Sequence, residues 1–109
     1  MTASNTINMD NADIIVYIDS SLEGLIGGYL ENRRRDLIAI KAALTRNNFE
    51  PVRVIGHNIK GTGSGYGFNF ISKVGDELEQ AALRADGAAI IRLSKELDDY
   101  LGRLKVIFD

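Results

Sequence analysis

The chain has 109 residues, 45% of them hydrophobic and 26% charged, with a formal net charge of −2. That is the size of one compact domain of ordinary soluble composition. It holds no cysteine, one histidine (His57), one proline (Pro51) and eleven glycines. Disulfide frameworks, cysteine zinc sites and thiol catalysis are therefore excluded, and a lone histidine argues against zinc or haem. A slightly acidic balance argues against nonspecific nucleic-acid binding. No apolar run approaches the roughly 20 residues that span a bilayer. The apolar run 14–18 lacks the basic lead and cleavage pattern of a signal peptide. A cytoplasmic protein is expected, with no nucleic acid and no membrane among its partners.

Residues 1–12 are polar and unpatterned and read as a flexible leader, leaving 13–109 as the domain. Segment 13–19 is apolar and β-branched, but a strand there has no evident partner. It reads as a short N-terminal segment packed across one end of a helical domain. Ser20 and Glu23 fit a capping box that starts the first long helix. Leu22, Leu25, Ile26, Tyr29, Leu30, Leu37, Ile40 and Leu44 then recur at helical steps until Asn47-Asn48. Gly24, Gly27 and Gly28 weaken its first turns and suggest close approach of another backbone.

A second helix is expected from Phe49 to Gly67, with Pro51 in its first turn, where a missing N–H is harmless. The third begins near Asn69 and carries Ile71, Val74, Leu78, Ala81 and Ala82 on one face. Asp86-Gly87 breaks the chain, and Asp86 can cap the fourth helix, whose apolar positions are Ile90, Leu93, Leu97, Leu101, Leu104 and Ile107. Four amphipathic helices joined by short loops predict an all-α fold, an up-down-up-down four-helix bundle.

The second helix carries the unusual chemistry. On a helical wheel, Val52, Ile55, Ile59 and Tyr66 fall within about 40° of the pole opposite His57 and form the core stripe. Arg53, Gly61 and Ser64 fall within about 40° of His57, with Lys60 roughly 60° away. His57 therefore centres the face that points away from the core. Five glycines (Gly56, Gly61, Gly63, Gly65, Gly67) crowd the stretch from 56 to 67. Each costs about 1 kcal/mol relative to Ala in a helix interior. Gly63 faces the core side and suits close packing, and Gly67 suits a C-terminal cap. Gly61 faces outward beside His57, where core packing gives it no role and an absent side chain clears space for a bulky group. Lys60 can swing its ammonium toward a group on the imidazole, and Ser64 can donate a hydroxyl nearby. These residues read as an exposed nucleophile that accepts an anionic group.

The run His57-Asn58-Ile59-Lys60-Gly61-Thr62-Gly63-Ser64-Gly65-Tyr66-Gly67-Phe68 resembles the histidine-phosphotransfer (HPt) domain signature: His, two residues, Lys-Gly, five residues, Gly. All four fixed positions match, at His57, Lys60, Gly61 and Gly67, and the small residue seven after the histidine is Ser64. Leu78-Glu79-Gln80-Ala81-Ala82 also looks like the family's third bundle helix. The resemblance covers roughly residues 20–109.

The resemblance implies a phosphorelay intermediate in two-component signal transduction. His57 would take a phosphoryl group from a receiver-domain aspartate and pass it to another. Lys60 would neutralise the phosphoryl oxygens, Gly61 would leave room for the partner and Ser64 would line it. The implied partners are response-regulator receiver domains and a hybrid histidine kinase. The implied cofactor set is none of its own, with Mg²⁺ supplied by the receiver and no metal site in this chain. The protein would have no kinase activity of its own, would be a monomer, and its Met1 and polar leader suit a free-standing shuttle. Arg53, one turn before His57, belongs to the expected docking surface. The Arg33-Arg34-Arg35 run reads first as a solvated patch and second as a dock for an acidic receiver pocket, Arg34 at its centre. Phe68 reads as a core end-cap, and Asp76, Glu77 and Glu79 as a solvated acidic face. Two other readings stand beside this one: the phosphoacceptor domain of a chemotaxis-type kinase, and an unphosphorylated helical scaffold that binds a receiver.

Overall fold

The computed structural model describes residues 12–109. The expected leader lies outside them, apart from Ala12. Four helices dominate the described chain: α1 (Glu23–Thr45), α2 (Glu50–Thr62), α3 (Asn69–Leu83) and α4 (Gly87–Arg103). Their apolar stripes meet in one core. Ile40, Val52, Ile59, Phe68, Ile71, Leu78, Ile90 and Leu97 are all fully buried. Among the described residues the core contains no buried charged residue, as expected for an interior filled by helix stripes. Phe68 sits in it as the end-cap that its position suggested.

The ends of the helical body differ from the sequence reading. Strand β1 (Ile14–Ile18) pairs in parallel with β2 (Leu104–Phe108), Ile14 opposite Leu104 and Ile18 opposite Phe108. A parallel pair needs a crossover between its strands, and here all four helices supply it. Leu104 and Ile107 therefore belong to a strand and not to the last helix, which ends at Arg103. Ile14, Val16 and Ile18 turn toward the helices with Leu104, Val106 and Phe108, while Ile15, Tyr17, Lys105 and Ile107 face out. Arg103 ties down the chain entry: its Nε donates to the Ala12 carbonyl at 2.9 Å.

The helix ends show their own corrections. No Ser20–Glu23 capping box forms. Asp19 caps a 3₁₀ turn at Ser20–Leu22 instead, its Oδ1 accepting from the Ser21 N–H at 2.8 Å, and α1 continues from that turn. Alanine side chains at Gly24, Gly27 or Gly28 would meet nothing within 4 Å, so these glycines serve no close packing among the described residues. Helix α2 stops at Thr62, and a 3₁₀ turn (Ser64–Tyr66) leads to Gly67 at φ +96°. There glycine supplies the left-handed conformation that L side chains avoid. Asp86 caps α4 as expected, accepting from the Ala89 N–H at 3.0 Å.

Candidate functional site

The seam between α2 and α3 is the closest helix contact in the fold, and glycine makes it so. A Cβ on Gly56 would lie 2.6 Å from the Glu79 nitrogen and 2.8 Å from the Gly75 oxygen. A Cβ on Gly75 would in turn run into the backbone of Lys60, Gly56 and Ile59. Small residues on both helices let two backbones approach where side chains would hold them apart. Gly63 repeats the device one step on, with Ser72 against it; the Ser72 hydroxyl accepts from the Ser64 N–H at 2.7 Å. Gly61, in contrast, has open space where its side chain would be.

This approach places His57 beside α3. The His57 side chain is 65% exposed, and its Nδ1 lies 3.1 Å from Glu79 Oε2. An ionised carboxylate can only accept, so Nδ1–H donates to Glu79, and in the neutral tautomer with that proton the ring lone pair is on Nε2. Glu79 is only 13% exposed. Its second oxygen, Oε1, is buried without a hydrogen-bond partner. Lys60, one turn after His57, reaches the same helix: its Nζ stands 3.2 Å from Asp76 Oδ1 and 3.6 Å from Glu79 Oε1. The second distance is an ion pair but too long for a hydrogen bond. Asp76 first, and then Glu79, hold the Lys60 ammonium above its ordinary pKa.

The acidic positions 76 and 79 are thus not a plain solvated face. They are the partners of His57 and Lys60, the two candidate site residues on α2. Sequence reasoning missed this role, although a signal was there. Asp76 and Glu79 stand three apart on one helix, as His57 and Lys60 do on the other. Gly75 also marks the place where the two helices meet.

The remaining candidates scatter. Arg53 is one turn before His57 on the same helix, locked in a bidentate pair with Glu50 at 2.9 and 2.6 Å. Ser64 lies in the turn beyond the helix, exposed, and not on the helical face with His57. Arg34 points to the opposite side: its Nη2 donates to the Leu101 carbonyl at 3.3 Å, across the α1–α4 seam. Arg33 pairs with Asp36 at 2.8 Å and lies over the Tyr29 ring, 4.4 Å from its centroid. The arginine run is therefore spread over different seams and makes no single patch beside His57.

Chemically, the site offers a fixed, solvent-facing imidazole nitrogen whose ring proton is held by a carboxylate, a cation one turn away and a cleared neighbour. That set suits a nucleophile whose adduct is anionic. Among the described residues no cluster of three or more histidine or acidic side chains could hold a metal ion, and no helix is long and apolar enough to cross a membrane. A separate apolar trough of about 610 Å³ lies between α1 and α4, lined by Leu37, Leu44 and Ile91. It contains none of these groups. No family model matches the chain, and neither a curated protein nor a solved structure matches it.

Proposed function

We propose that this chain is a phosphorelay intermediate of the histidine-phosphotransfer kind, its four helices forming an up-down-up-down bundle with His57 as the phosphoacceptor. The observation that carries this reading is the exposed His57 imidazole with Nδ1–H held by Glu79. The hydrogen bond orients the ring and leaves Nε2 as the nucleophile, as second-sphere carboxylates do for other functional histidines.

In the transfer, the Nε2 lone pair forms the N–P bond while the P–O bond of a receiver's aspartyl phosphate breaks. The receiver carboxylate leaves with the electron pair. Nδ1 keeps its proton, so the phosphorylated ring is a cation facing the Glu79 carboxylate. Phosphoryl transfer depends on in-line placement and neutralised charge. The rigid α2–α3 seam supplies placement and Lys60 supplies positive charge. The open space at Gly61 admits the receiver, and Arg53, one turn before His57, flanks the approach, while Ser64 lies in the turn beyond the helix and off that face. Mg²⁺ belongs to the receiver's own carboxylates. The partners are receiver domains and a hybrid histidine kinase, and the chain turns over no substrate by itself. Arg34, directed toward α4, has no part in this docking face.

The test is incubation of the purified chain with phosphorylated receiver domains and with phosphoramidate, followed by assay for acid-labile phosphate. Label on the wild-type chain and none on His57→Gln is expected. Label that survives His57→Gln refutes the assignment. Normal partner binding and signalling by His57→Ala would favour the scaffold reading instead.

A further inference from the structure

We infer that Asp76 is a positioning residue that controls how Lys60 is shared between α3 and a group carried on His57. This inference rests on the phosphotransfer reading above. Lys60 is already engaged, 3.2 Å from Asp76 and 3.6 Å from Glu79. Asp76 is the nearer of the two, and its side chain is half exposed; among the described residues Lys60 is the one ion-pair partner found for it, whereas His57 pairs with Glu79.

A phosphoryl group on Nε2 brings anionic oxygens to within one helical turn of the Lys60 ammonium. The ammonium has three donors but one charge, and Asp76 competes with the phosphoryl oxygens for it. As Lys60 moves toward the phosphoryl group it leaves Glu79 Oε1, and the full carboxylate charge of Glu79 then faces the ring cation. In onward transfer a receiver aspartate oxygen forms the new P–O bond. The N–P electron pair returns to Nε2, and Lys60 goes back to Asp76. Asp76 thus weakens the hold of Lys60 on the phosphoryl group and keeps His57 a donor as well as an acceptor.

The experiment compares wild type with Asp76→Asn, Asp76→Glu, Lys60→Ala and the Lys60→Ala/Asp76→Asn double variant. It measures the equilibrium between phosphorylated receiver and phosphorylated His57, and the rate of dephosphorylation. Exposed ion pairs have modest strength. Asp76→Asn is therefore expected to shift the equilibrium toward phosphorylated His57 by about two- to five-fold and to slow onward transfer. Asp76→Glu should restore most of the wild-type balance. In the Lys60→Ala background the same Asp76→Asn change should have almost no effect, which a merely structural role would not produce. An unchanged equilibrium in Asp76→Asn overturns the inference while leaving the phosphotransfer reading intact. So does an equal shift with and without Lys60, which would mean bare charge repulsion by Asp76. If wild type takes no label from receivers or phosphoramidate, the phosphotransfer reading falls and this inference falls with it.

Discussion

Replacing Gly56 by alanine tests the physical basis of the site. By helix propensity alone, Gly56→Ala inside α2 should stabilise the protein by about 1 kcal/mol. The geometry reverses that sign. The new Cβ would stand 2.6 Å from the Glu79 nitrogen and 2.8 Å from the Gly75 oxygen. Ordinary carbon contacts sit at about 3.5–4.0 Å, so the helices must part by roughly 1 Å. Both obstructing atoms are backbone, and α3 cannot retreat freely because its Ile71, Val74 and Leu78 side chains are buried in the core. Overpacking of this kind costs about 1–3 kcal/mol or somewhat more. With two backbone clashes to relieve, the cost falls in the upper part of that range, about 2–3 kcal/mol; less the propensity gain of about 1 kcal/mol, the net loss is about 1–2 kcal/mol, or a fall in Tm of roughly 5–15 °C for a domain of this size. The displaced backbone is that of Glu79 itself, so the 3.1 Å bond to His57 should lengthen as well. Urea unfolding followed by circular dichroism reads the stability, and phosphoramidate labelling reads the site. An alanine variant as stable as wild type, or more stable, would refute the close-approach argument, because the two effects differ in sign.

Gly61→Ala should do the opposite: with open space at its Cβ it should gain up to about 1 kcal/mol in urea unfolding, while phosphoryl uptake from a receiver slows. Ala85 sits at φ +54° just past α3, a conformation costing an L-residue about 1 kcal/mol; Ala85→Gly should recover part of this as a higher unfolding midpoint. Asp86→Ala should lose about 1 kcal/mol with the α4 cap, measured the same way. Asp19 has a pH signature. Hydrogen bonds to Ser21, first of all from its backbone N–H, hold the Asp19 carboxyl below its ordinary 3.8. A depressed carboxyl stabilises above its unfolded value, and that contribution vanishes as pH falls through the lowered folded value. Asp19→Ala should therefore unfold earlier than wild type at neutral pH, with the gap closing in strong acid.

Much of the helical body was legible because it depends on local periodicity. The stripes Ile71-Val74-Leu78 and Ile90-Leu93-Leu97 are buried as their spacing requires. The Asp86 cap and the Gly67 turn follow from residues whose backbone preferences act within one turn. His57 faces solvent because Val52 and Ile59, on the other side of the helix, are buried. The Ser20–Glu23 capping box failed against a nearby competitor, since Asp19 one residue earlier already caps the preceding 3₁₀ turn. The strands escaped notice for another reason. Leu104-Lys105-Val106-Ile107-Phe108 continues a helical stripe as readily as it alternates, and its partner lies at the other end of the described chain. Pairing of that range leaves no local mark.

The sequence by itself determined the helical class, the core faces and the exposed histidine, because each is a property of one helix and its own period. It also singled out Gly61, whose outward position had no packing explanation and has none in the structure. Only the tertiary structure decided what surrounds His57. Glu79 and Asp76 come from a second helix, and the distance at which they meet His57 and Lys60 is set by Gly56 against Gly75. Arg34, close to the site by the logic of adjacent helices, points to another seam. A helix period tells which side chains face outward. Which outward side chains face one another depends on how closely and at what register two helices pack, and that is a property of the pair.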